Sequence, residues 1–323
     1  MLAVTPGVLS GTLDFGSWTL DFGISTGAMK PCVIFNPVAR GNRARSFQSH
    51  LESIARTAAL KPTLCAGDAR RLANEAVREG FDTVVAAGGD GTLNEVLNGI
   101  VDADGLSRVR LGVLPLGTAN VFAKELSMPS NLGQAWQVIL GGRDRLIDAP
   151  WASYTNGDRA ERRYFAQIAG AGLDSRAIEL VNWEMKKRIG FLSYIVAALR
   201  ALAEKLPPIE VSNGRETVAG QLVLIGNGRF YGGRFPMFPL ADLCDGILEA
   251  VIYPRVNLES VVRSSWGMLT GNFHTGRHTI QLKGAQLELR CAQPIFFHLE
   301  GENVALLPAT FGIDPGSLRV IVP

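Results

Sequence analysis

The chain has 323 residues, an apolar fraction of 47%, a charged fraction of 19% and a formal net charge of +2. This composition excludes a disordered chain, and so small a charge gives no reason to expect a nucleic-acid partner. The length suits two domains, and four cysteines without a CxxC pair indicate buried thiols of a reducing compartment rather than disulfides or a zinc site.

Residues 1–29 form a leader in which the pentapeptide TLDFG occurs twice. It lacks the basic opening and the cleavage site of a signal peptide, so we expect either a disordered leader or an upstream start codon chosen in error. The longest apolar run, Ile189–Ala203, is interrupted by Arg200 and is too short to span a bilayer. We therefore expect a cytoplasmic protein, either free or held at the inner face of the membrane.

Strands and helices alternate from residue 30 to residue 148. This alternation predicts an α/β domain built on a parallel sheet with helices on both faces. The expected strands are 32–36, 61–65, 83–87 and 110–114, and the expected helices are 46–59, a helix capped by Asp68 that continues through Arg78, 92–100 and 119–126.

Short β-rich segments dominate from residue 149 to residue 323. They predict a mostly antiparallel β domain, with a cleft between the two domains in which a ligand is expected. The expected strands are 164–169, 222–227, 248–253, 279–282, 286–290, 295–299 and 318–322. A return of the last of them toward the first domain is left open.

The stretch Val84–Gly99, VVAAGGDGTLNEVLNG, passes from an apolar strand through three glycines into a helix. Ligands of open parallel sheets bind beyond the carboxyl ends of the strands. Glycines at 88, 89 and 91 let a ligand approach the main chain, and the helix N-terminus behind them favours phosphate. The loop is neither a Walker A motif nor GxGxxG, and a tight turn capped by Asp90 is the alternative interpretation.

GGDGTLNEVLNG resembles the nucleotide loop of the lipid kinases that include bacterial diacylglycerol kinases, sphingosine kinases and ceramide kinases. NAD kinases and 6-phosphofructokinases share only the shorter GGDG. The family's other segments are matched in order by Asn36-Pro37, Thr63 with Gly67-Asp68-Ala69, LPLGTANVFA at 114–123, Asn227-Gly228 with Tyr231-Gly232-Gly233, Pro239, Asp245-Gly246-Ile247-Leu248 and LEGE at 299–302. The resemblance covers residues 30–323 and implies an ATP- and Mg²⁺-dependent kinase that phosphorylates a lipid hydroxyl, with its nucleotide site in domain 30–148 and its lipid site in domain 149–323.

The resemblance also implies particular site residues. The implied nucleotide contacts are Asn36, Pro37, Val38, Ala39, Arg40, Thr63, Gly89, Asp90, Gly91, Thr92, Leu93, Asn94, Glu95 and Thr118. Backbone donors and hydroxyls there would cradle phosphates, while Asp90 and Glu95 would arrange Mg²⁺ or balance charge. A structural Mg²⁺ is implied at Asp242, Asp245 and Ile247, with a plain hairpin turn as the alternative.

The substrate hydroxyl needs a proton acceptor, for which a carboxylate is suited. The resemblance points to Glu302, while Glu300 replaces the family's aspartate. One extra methylene moves a carboxylate by about an ångström, and a misplacement of that size can cost about 100-fold in rate. Glu302, Glu300 and Asp90 therefore all stay candidates for the catalytic base.

Two further departures from the family pattern concern substrate binding. Val121 stands where many bacterial members carry aspartate, which puts a diacylglycerol preference in doubt. Arg40 stands where the family's phosphate loop carries glycine, so Arg40 or Arg43 is expected to supply positive charge.

The expected partner is a lipid at a membrane surface, and a homodimer is left open. Lys186–Arg188 with the apolar helix after it, and Arg229–Met237, could rest on anionic headgroups, although packing of that helix on the β domain is the preferred interpretation. Two other functions stay open. One is an NAD kinase, and the other is a nucleotide-regulated lipid-binding protein that has lost catalysis, as Glu300 and Val121 suggest.

Overall fold

The computed structural model describes residues 29–36, 42–181, 192–270 and 278–323. The expected leader up to residue 28 lies outside the described residues, as do Pro37–Arg40 and Lys186–Arg188. An α/β unit is followed along the chain by a largely antiparallel β-sandwich, which confirms the fold class expected from the sequence.

Four parallel strands form one half of the larger sheet, in the order β2-β1-β3-β4. Their bounds are β1 Pro31–Phe35, β2 Ala59–Pro62, β3 Thr83–Gly88 and β4 Arg110–Pro115. β1 and β3 are buried along almost their whole length. That burial is expected of short valine- and isoleucine-rich strands covered by helices on both faces.

Five helices accompany these strands, and α1 packs on α5 while α2 packs on α3. Their bounds are α1 Asn42–Ala55, α2 Asp68–Arg78, α3 Asp90–Asp102, α4 Val121–Glu125 and α5 Leu132–Gly141. α2 buries an apolar stripe at helical spacing, consisting of Ala69, Leu72, Ala73 and Ala76.

The turn before α2 corrects two expectations. The expected strand 61–65 ends already at Pro62, because the N–H groups of Leu64 and Cys65 donate to the Asp68 carboxylate at 2.7 and 3.1 Å. Asp68 thus stabilises the turn that precedes it. The N-cap of α2 is Gly67, which has φ +86° and no side chain to offer.

The second sheet is antiparallel throughout, in the order β14-β13-β10-β7-β16-β17. Its strands are β7 Ile168–Gly172, β10 Leu222–Gly226, β13 Leu248–Tyr253, β14 Ile280–Gly284, β16 Phe296–Leu299 and β17 Glu302–Leu306. The expected strand 164–169 is wrong, since the chain leaves one sheet at Tyr164 and enters the other at Ile168.

Two strands of 13 residues, β5 Asp144–Asn156 and β18 Ala309–Ile321, pair antiparallel with each other. β18 also pairs parallel with β4 at Val320 and Leu111, so one sheet of ten described strands runs through both parts of the chain. The remaining strands are β6 Arg159–Tyr164, β8 Ile209–Ser212, β9 Thr217–Gly220 and β15 Gln286–Cys291 in this sheet, with a separate hairpin of β11 Phe230–Tyr231 and β12 Phe235–Pro236.

The two sheets enclose the hydrophobic core of the β-sandwich. Phe297 of the small sheet and Phe311 of β18 meet edge to face with ring centroids 5.5 Å apart. Helices α6 Leu173–Leu180, α7 Leu192–Ala201 and α8 Leu258–Thr270 pack together through Leu173, Ala201 and Val261. Within the described ranges, no helix has the length and apolar character that crossing a bilayer requires.

Candidate active site

Four loops meet where the parallel strands of the first unit end. Sheet register places the carboxyl ends of β2, β1, β3 and β4 side by side, pairing Phe35 with Pro62 and with Ala87. The expected contacts Asn36, Thr63, Gly89 and Thr118 follow these strand ends, and Thr63 N–H donates to Phe35 O at 2.8 Å. The structure therefore gathers these four residues of the expected nucleotide site at one edge of the sheet.

The glycine loop and the loop after β4 touch backbone to backbone. A Cβ built on Gly117 would lie 2.5 Å from Gly89 Cα, and the N–H groups of Leu116 and Gly117 both donate to Gly88 O. Gly89 offers no side chain as N-cap of α3, so the first N–H groups of this 13-residue helix are free of side-chain capping. Those donors and the helix dipole make a seat for an anion.

Asp90 connects the two loops. Its carboxylate accepts a hydrogen bond of 2.8 Å from Val121 N–H at the start of α4. Burial raises the pKa of Asp90, against the opposing influence of neighbouring backbone N–H groups and of the positive charge on Lys124. The alternative reading of Asp90 as the cap of its own helix is not what the structure shows, because α3 begins at Asp90 and its carboxylate reaches α4.

The turn Glu300-Gly301-Glu302 brings two carboxylates to this site. Glu300 Oε1 accepts from the N–H groups of Ala166, Gln167 and Ile168 at 2.9, 2.7 and 3.3 Å. Burial and the nearby Asp90 carboxylate raise the pKa of Glu300 to about 8, although the three N–H groups favour its ionised form.

Glu302 has a different environment. Its side chain is exposed, and its Oε1 lies 3.1 Å from a Cβ built on Gly91, so the carboxylate stands over the first turn of α3. Of the three candidate bases, Glu300 and Asp90 are held by backbone donors, whereas Glu302 faces the space above the glycine loop. This geometry favours Glu302 as proton acceptor and Glu300 as the group that holds the turn in place.

Several expected contacts are engaged elsewhere in the structure. Glu95 accepts from Gly67 N–H and Ala69 N–H at 3.1 and 3.0 Å, so its carboxylate caps α2. Leu93 is buried in the hydrophobic core of the α/β unit, so it offers a ligand only its backbone. Asn94 Oδ1 accepts from Asn98 Nδ2 at 3.2 Å. Gly91 and Thr92 lie in the first turn of α3, which begins two residues before the expected helix 92–100. Pro37, Val38, Ala39 and Arg40 fall outside the described residues.

The loop expected to hold Mg²⁺ is a turn organised by its own side chains. Asp242 accepts from Cys244 N–H at 3.1 Å, and Asp245 accepts from Ile247 N–H at 2.9 Å. Burial and then the charges of Asp242, Asp148 and Glu249 raise the pKa of Asp245, so the loop carries an excess of negative charge. Carboxylate oxygens suit Mg²⁺. Yet no three acidic, histidine or cysteine side chains converge as a metal cage in the part of the chain that is described, and the expected ion stays a prediction.

A cavity of about 110 Å³, partly open to solvent, lies between the small sheet and helices α6, α7 and α8. Its walls are largely apolar, and include Leu173, Ile195, Leu224, Met237 and Val261. The helix after Lys186–Arg188 and the segment Arg229–Met237, both expected at a membrane surface, contribute Ile195, Tyr231 and Met237 to this wall. The other wall residues were not identified, because apolar wall residues cannot be told from ordinary core residues in a sequence.

Polar groups lie at one end of this cavity. His298 Nε2 lies 2.7 Å from Asp174 Oδ2, and Tyr231 O–H donates to the same oxygen at 2.8 Å. Burial by itself would raise the pKa of Asp174. The charge of His298 and these hydrogen bonds outweigh burial and hold that pKa below its usual range. β16 carries His298, and Glu300 follows two residues later, so this strand leads from the pair of Asp174 and His298 to the turn beside the glycine loop.

A buried carboxylate ties the two units together beside the site. Glu125 of α4 accepts from Gln167 Nε2, Arg229 Nε and Phe230 N–H at 3.0, 2.9 and 3.1 Å. Its neighbour Lys124 brings a positive charge near Asp90. Neither Lys124 nor Glu125 was identified from the sequence. Their position directly after the motif LPLGTANVFA was the feature that could have pointed to them.

Comparisons with known proteins agree with this organisation. The family model for the diacylglycerol kinase catalytic domain matches residues 30–150, and the model for the YegS C-terminal NAD kinase beta sandwich-like domain matches residues 167–322. The chain is 29% identical over 302 residues to a diacylglycerol kinase of Bacillus subtilis (strain 168), covering 90% of this chain and 95% of that protein.

A relative from Yersinia enterocolitica, named probable lipid kinase YegS-like, is 30% identical over 295 residues, covering 90% of this chain and 96% of the relative. A solved diacylglycerol kinase structure from Bacillus anthracis str. Sterne superposes with a TM-score of 0.65 at 19% identity, covering 91% of this chain and 97% of that chain. The structural likeness supports the shared fold.

Proposed function

The chain belongs to the family of diacylglycerol kinases and YegS-like lipid kinases, and on that premise we propose that it transfers the γ-phosphate of ATP to a hydroxyl group of a membrane-derived lipid. The observation that carries this proposal is the position of the Glu302 carboxylate over Gly91, at the N-terminus of α3.

In the proposed reaction the first N–H groups of α3 bind the phosphates of the nucleotide. The lipid hydroxyl oxygen attacks the γ-phosphorus, the bond to the ADP oxygen breaks, and the hydroxyl proton passes to Glu302. Glu300 and Asp90 act as positioning residues, because each accepts backbone hydrogen bonds that fix a loop. Mg²⁺ would accompany ATP and neutralise part of the negative charge of its phosphates.

The cavity beside α8 would hold the acyl portion of the lipid. Its apolar walls suit hydrocarbon, and the pair of Asp174 and His298 would lie near the polar end of such a molecule. The strand that carries His298 ends at Leu299, directly before the turn Glu300-Gly301-Glu302, which supports a path for the lipid hydroxyl from the cavity toward Glu302.

The test is a transfer assay with the full chain, Mg²⁺, γ-labelled ATP and, separately, total lipid extract or NAD. We expect label in a lipid, and we expect Glu302→Gln to lower kcat by about 10²–10⁴-fold with little change in the KM for ATP. Glu216→Gln, in an exposed turn, is the matched control and should behave as wild type.

Label in NAD instead of lipid would replace this proposal with an NAD kinase. Binding of ATP without transfer to either acceptor would favour the nucleotide-regulated lipid-binding protein that has lost catalysis. A fully active Glu302→Gln would leave Glu300 or Asp90 as the base.

A further inference from the structure

Helix α8 has an inner face that lines the cavity and an outer face that carries exposed apolar side chains. Its inner face lines the cavity with Ser260, Val261 and Ser264. Its outer face carries Leu258, Val262 and Trp266, which are 62%, 55% and 68% exposed. A spacing of four residues puts these three side chains in one row along the helix. We call this row the α8 stripe.

The α8 stripe is unlike the scattered exposed apolar residues of an ordinary surface. Three large side chains stand in line on one helix, and one of them is tryptophan, whose ring favours the boundary between water and hydrocarbon. Contiguous apolar surface of this kind marks a site of interaction. None of the three side chains takes part in the glycine-loop site or lines the cavity.

Basic side chains border the α8 stripe. A groove between α8 and the edge strand β14 is lined by Arg255, Arg263 and His278, all of them exposed. Glu259 accepts from Arg263 Nη2 at 2.7 Å and partly offsets this charge. Ile280, 41% exposed, adds an apolar side chain at the same edge. The combination of an apolar row and a basic margin complements the surface of a bilayer that contains anionic lipids.

We propose that the outer face of α8 docks in the interface of an anionic bilayer and that the same helix delivers lipid into the cavity on its inner face. This inference rests on the proposed function for the identity of the cavity's occupant. The bilayer is favoured over a protein partner because the helix that carries the stripe also forms a wall of the apolar cavity. A molecule that enters the cavity at α8 passes directly from the surface on which the stripe would rest.

The docking test is sedimentation of the full chain with vesicles of phosphatidylcholine alone or with about 30% phosphatidylglycerol added. We expect wild type to bind the anionic vesicles, with a blue shift of tryptophan fluorescence that is absent in Trp266→Phe. The double variant Val262→Asn/Trp266→Ser should bind about tenfold more weakly or worse, since apolar area drives such binding. Arg255→Gln should weaken binding only to the anionic vesicles.

Leu306→Asn is the matched control. Leu306 is 42% exposed and lies on β17, the opposite edge of the same sheet from β14. The Leu306→Asn variant should bind vesicles as wild type does. Equal loss of binding in this control and in the double variant, or no loss in either, would overturn the docking proposal. A change of oligomeric state in the double variant without vesicles would overturn it as well, by assigning the stripe to a second copy of the chain.

Activity separates this inference from the proposed function. The double variant should phosphorylate a dispersed short-chain lipid at the wild-type rate and lose activity only on lipid in bilayers. Equal loss on both lipids would overturn the docking role. Stripe-dependent vesicle binding by a wild-type chain that phosphorylates no lipid would support docking while refuting the kinase proposal.

Discussion

Glu300 is the residue at which geometry and charge in the site oppose each other most. The backbone N–H groups of Ala166, Gln167 and Ile168, where the chain enters β7, converge on its Oε1, and its own N–H donates to Ile168 O at 3.0 Å. Burial and Asp90 nevertheless favour the protonated form. A carboxyl group that is neutral and still accepts these hydrogen bonds would hold the turn without repelling Glu302 or a nucleotide.

This environment predicts how stability depends on pH. The pKa of Glu300 rises from 4.5 to about 8 on folding, so the folded chain binds more protons than the unfolded chain between these values. Stability should therefore fall as pH rises through that window. Glu300→Gln keeps the oxygen acceptor without the titration, so its stability should fall less steeply than that of wild type.

Urea unfolding from pH 5 to pH 8 measures this difference. Asp90 has a raised pKa too and contributes a slope of the same sign to both proteins, so the comparison of the two slopes is the decisive quantity. Glu288→Gln, on β15, provides a control that removes a half-buried carboxylate paired with Arg290, away from the site. If the stability of wild type and of Glu300→Gln depends on pH in the same way, the raised pKa of Glu300 in the folded chain is refuted.

At the residue scale the sequence predicted which residue types meet but not how they pair. Resemblance brought Asp90, Glu300 and Glu302 to one site, and the structure places them there. Which carboxylate faces the ligand depends on a turn in which Glu300 itself has φ +52°, and on N–H groups more than 130 residues away in the chain. No local pattern encodes such long-range pairing.

At the element scale, the contact between the glycine loop and the loop after β4 requires a residue without a side chain. Gly117→Ala would place a methyl group 2.5 Å from Gly89 Cα, so the backbones must separate. We expect this variant to bind ATP at least about tenfold more weakly, because displacement of the loop misplaces the N–H donors. Isothermal titration measures the affinity.

Gly141→Ala is the control for that loop variant. Gly141 is helical, and a Cβ built on it meets nothing within 4 Å. It should bind ATP as wild type does and gain stability of up to about 1 kcal/mol from helix propensity. Wild-type affinity in Gly117→Ala would show that the close approach has no part in nucleotide binding.

The acidic turn from Asp242 to Ile247 supports a second prediction at this scale. If Mg²⁺ binds there, millimolar Mg²⁺ should raise the melting temperature without nucleotide, since a ligand of the folded state stabilises it. Asp245→Asn should lower that Mg²⁺-dependent rise while Asp104→Asn, on an exposed loop, leaves it unchanged. An equal rise in all three proteins would place the ion elsewhere.

Periodicity predicted most elements of the first unit, although α1 begins and ends four residues before the expected helix 46–59 and α5 was not expected. It predicted those of the second unit less completely. The helix around α3 and strands β3, β4, β10 and β13 lie within two residues of expectation at nearly every end. β5 and most of β18 were missed. Both contain proline, at positions 150 and 315, and β18 also contains Gly312 and Gly316, so they lack the uninterrupted apolar alternation by which a strand is read.

At the scale of the whole molecule, β18 joins the two units. Leu318, Val320 and Ile321 belong to the core of the α/β unit, while Ala309, Phe311 and Ile313 belong to the core of the sandwich. The two parts share a continuous sheet. The α/β unit therefore obtains the strand beside β4, the fifth in the order β2-β1-β3-β4-β18, from a segment almost 200 residues later in the chain.

This topology predicts that a fragment ending at residue 156 does not fold by itself. Without β18 the edge of β4 and the buried face of β5 are exposed, which favours aggregation. We expect the fragment to sediment as aggregate or to lack a cooperative thermal transition, whereas the full chain unfolds cooperatively. A monomeric, ATP-binding fragment would contradict the prediction.

The place of β18 also bears on synthesis of the chain by the ribosome. β4 ends at Pro115 and its neighbour begins only at Ala309, an interval on the order of ten to forty seconds at about 5–20 residues per second. During that time the nascent polypeptide displays the unpaired edge of the buried strand β4. Slow translation or a scarcity of chaperones should therefore harm the yield of this protein more than its final stability would indicate.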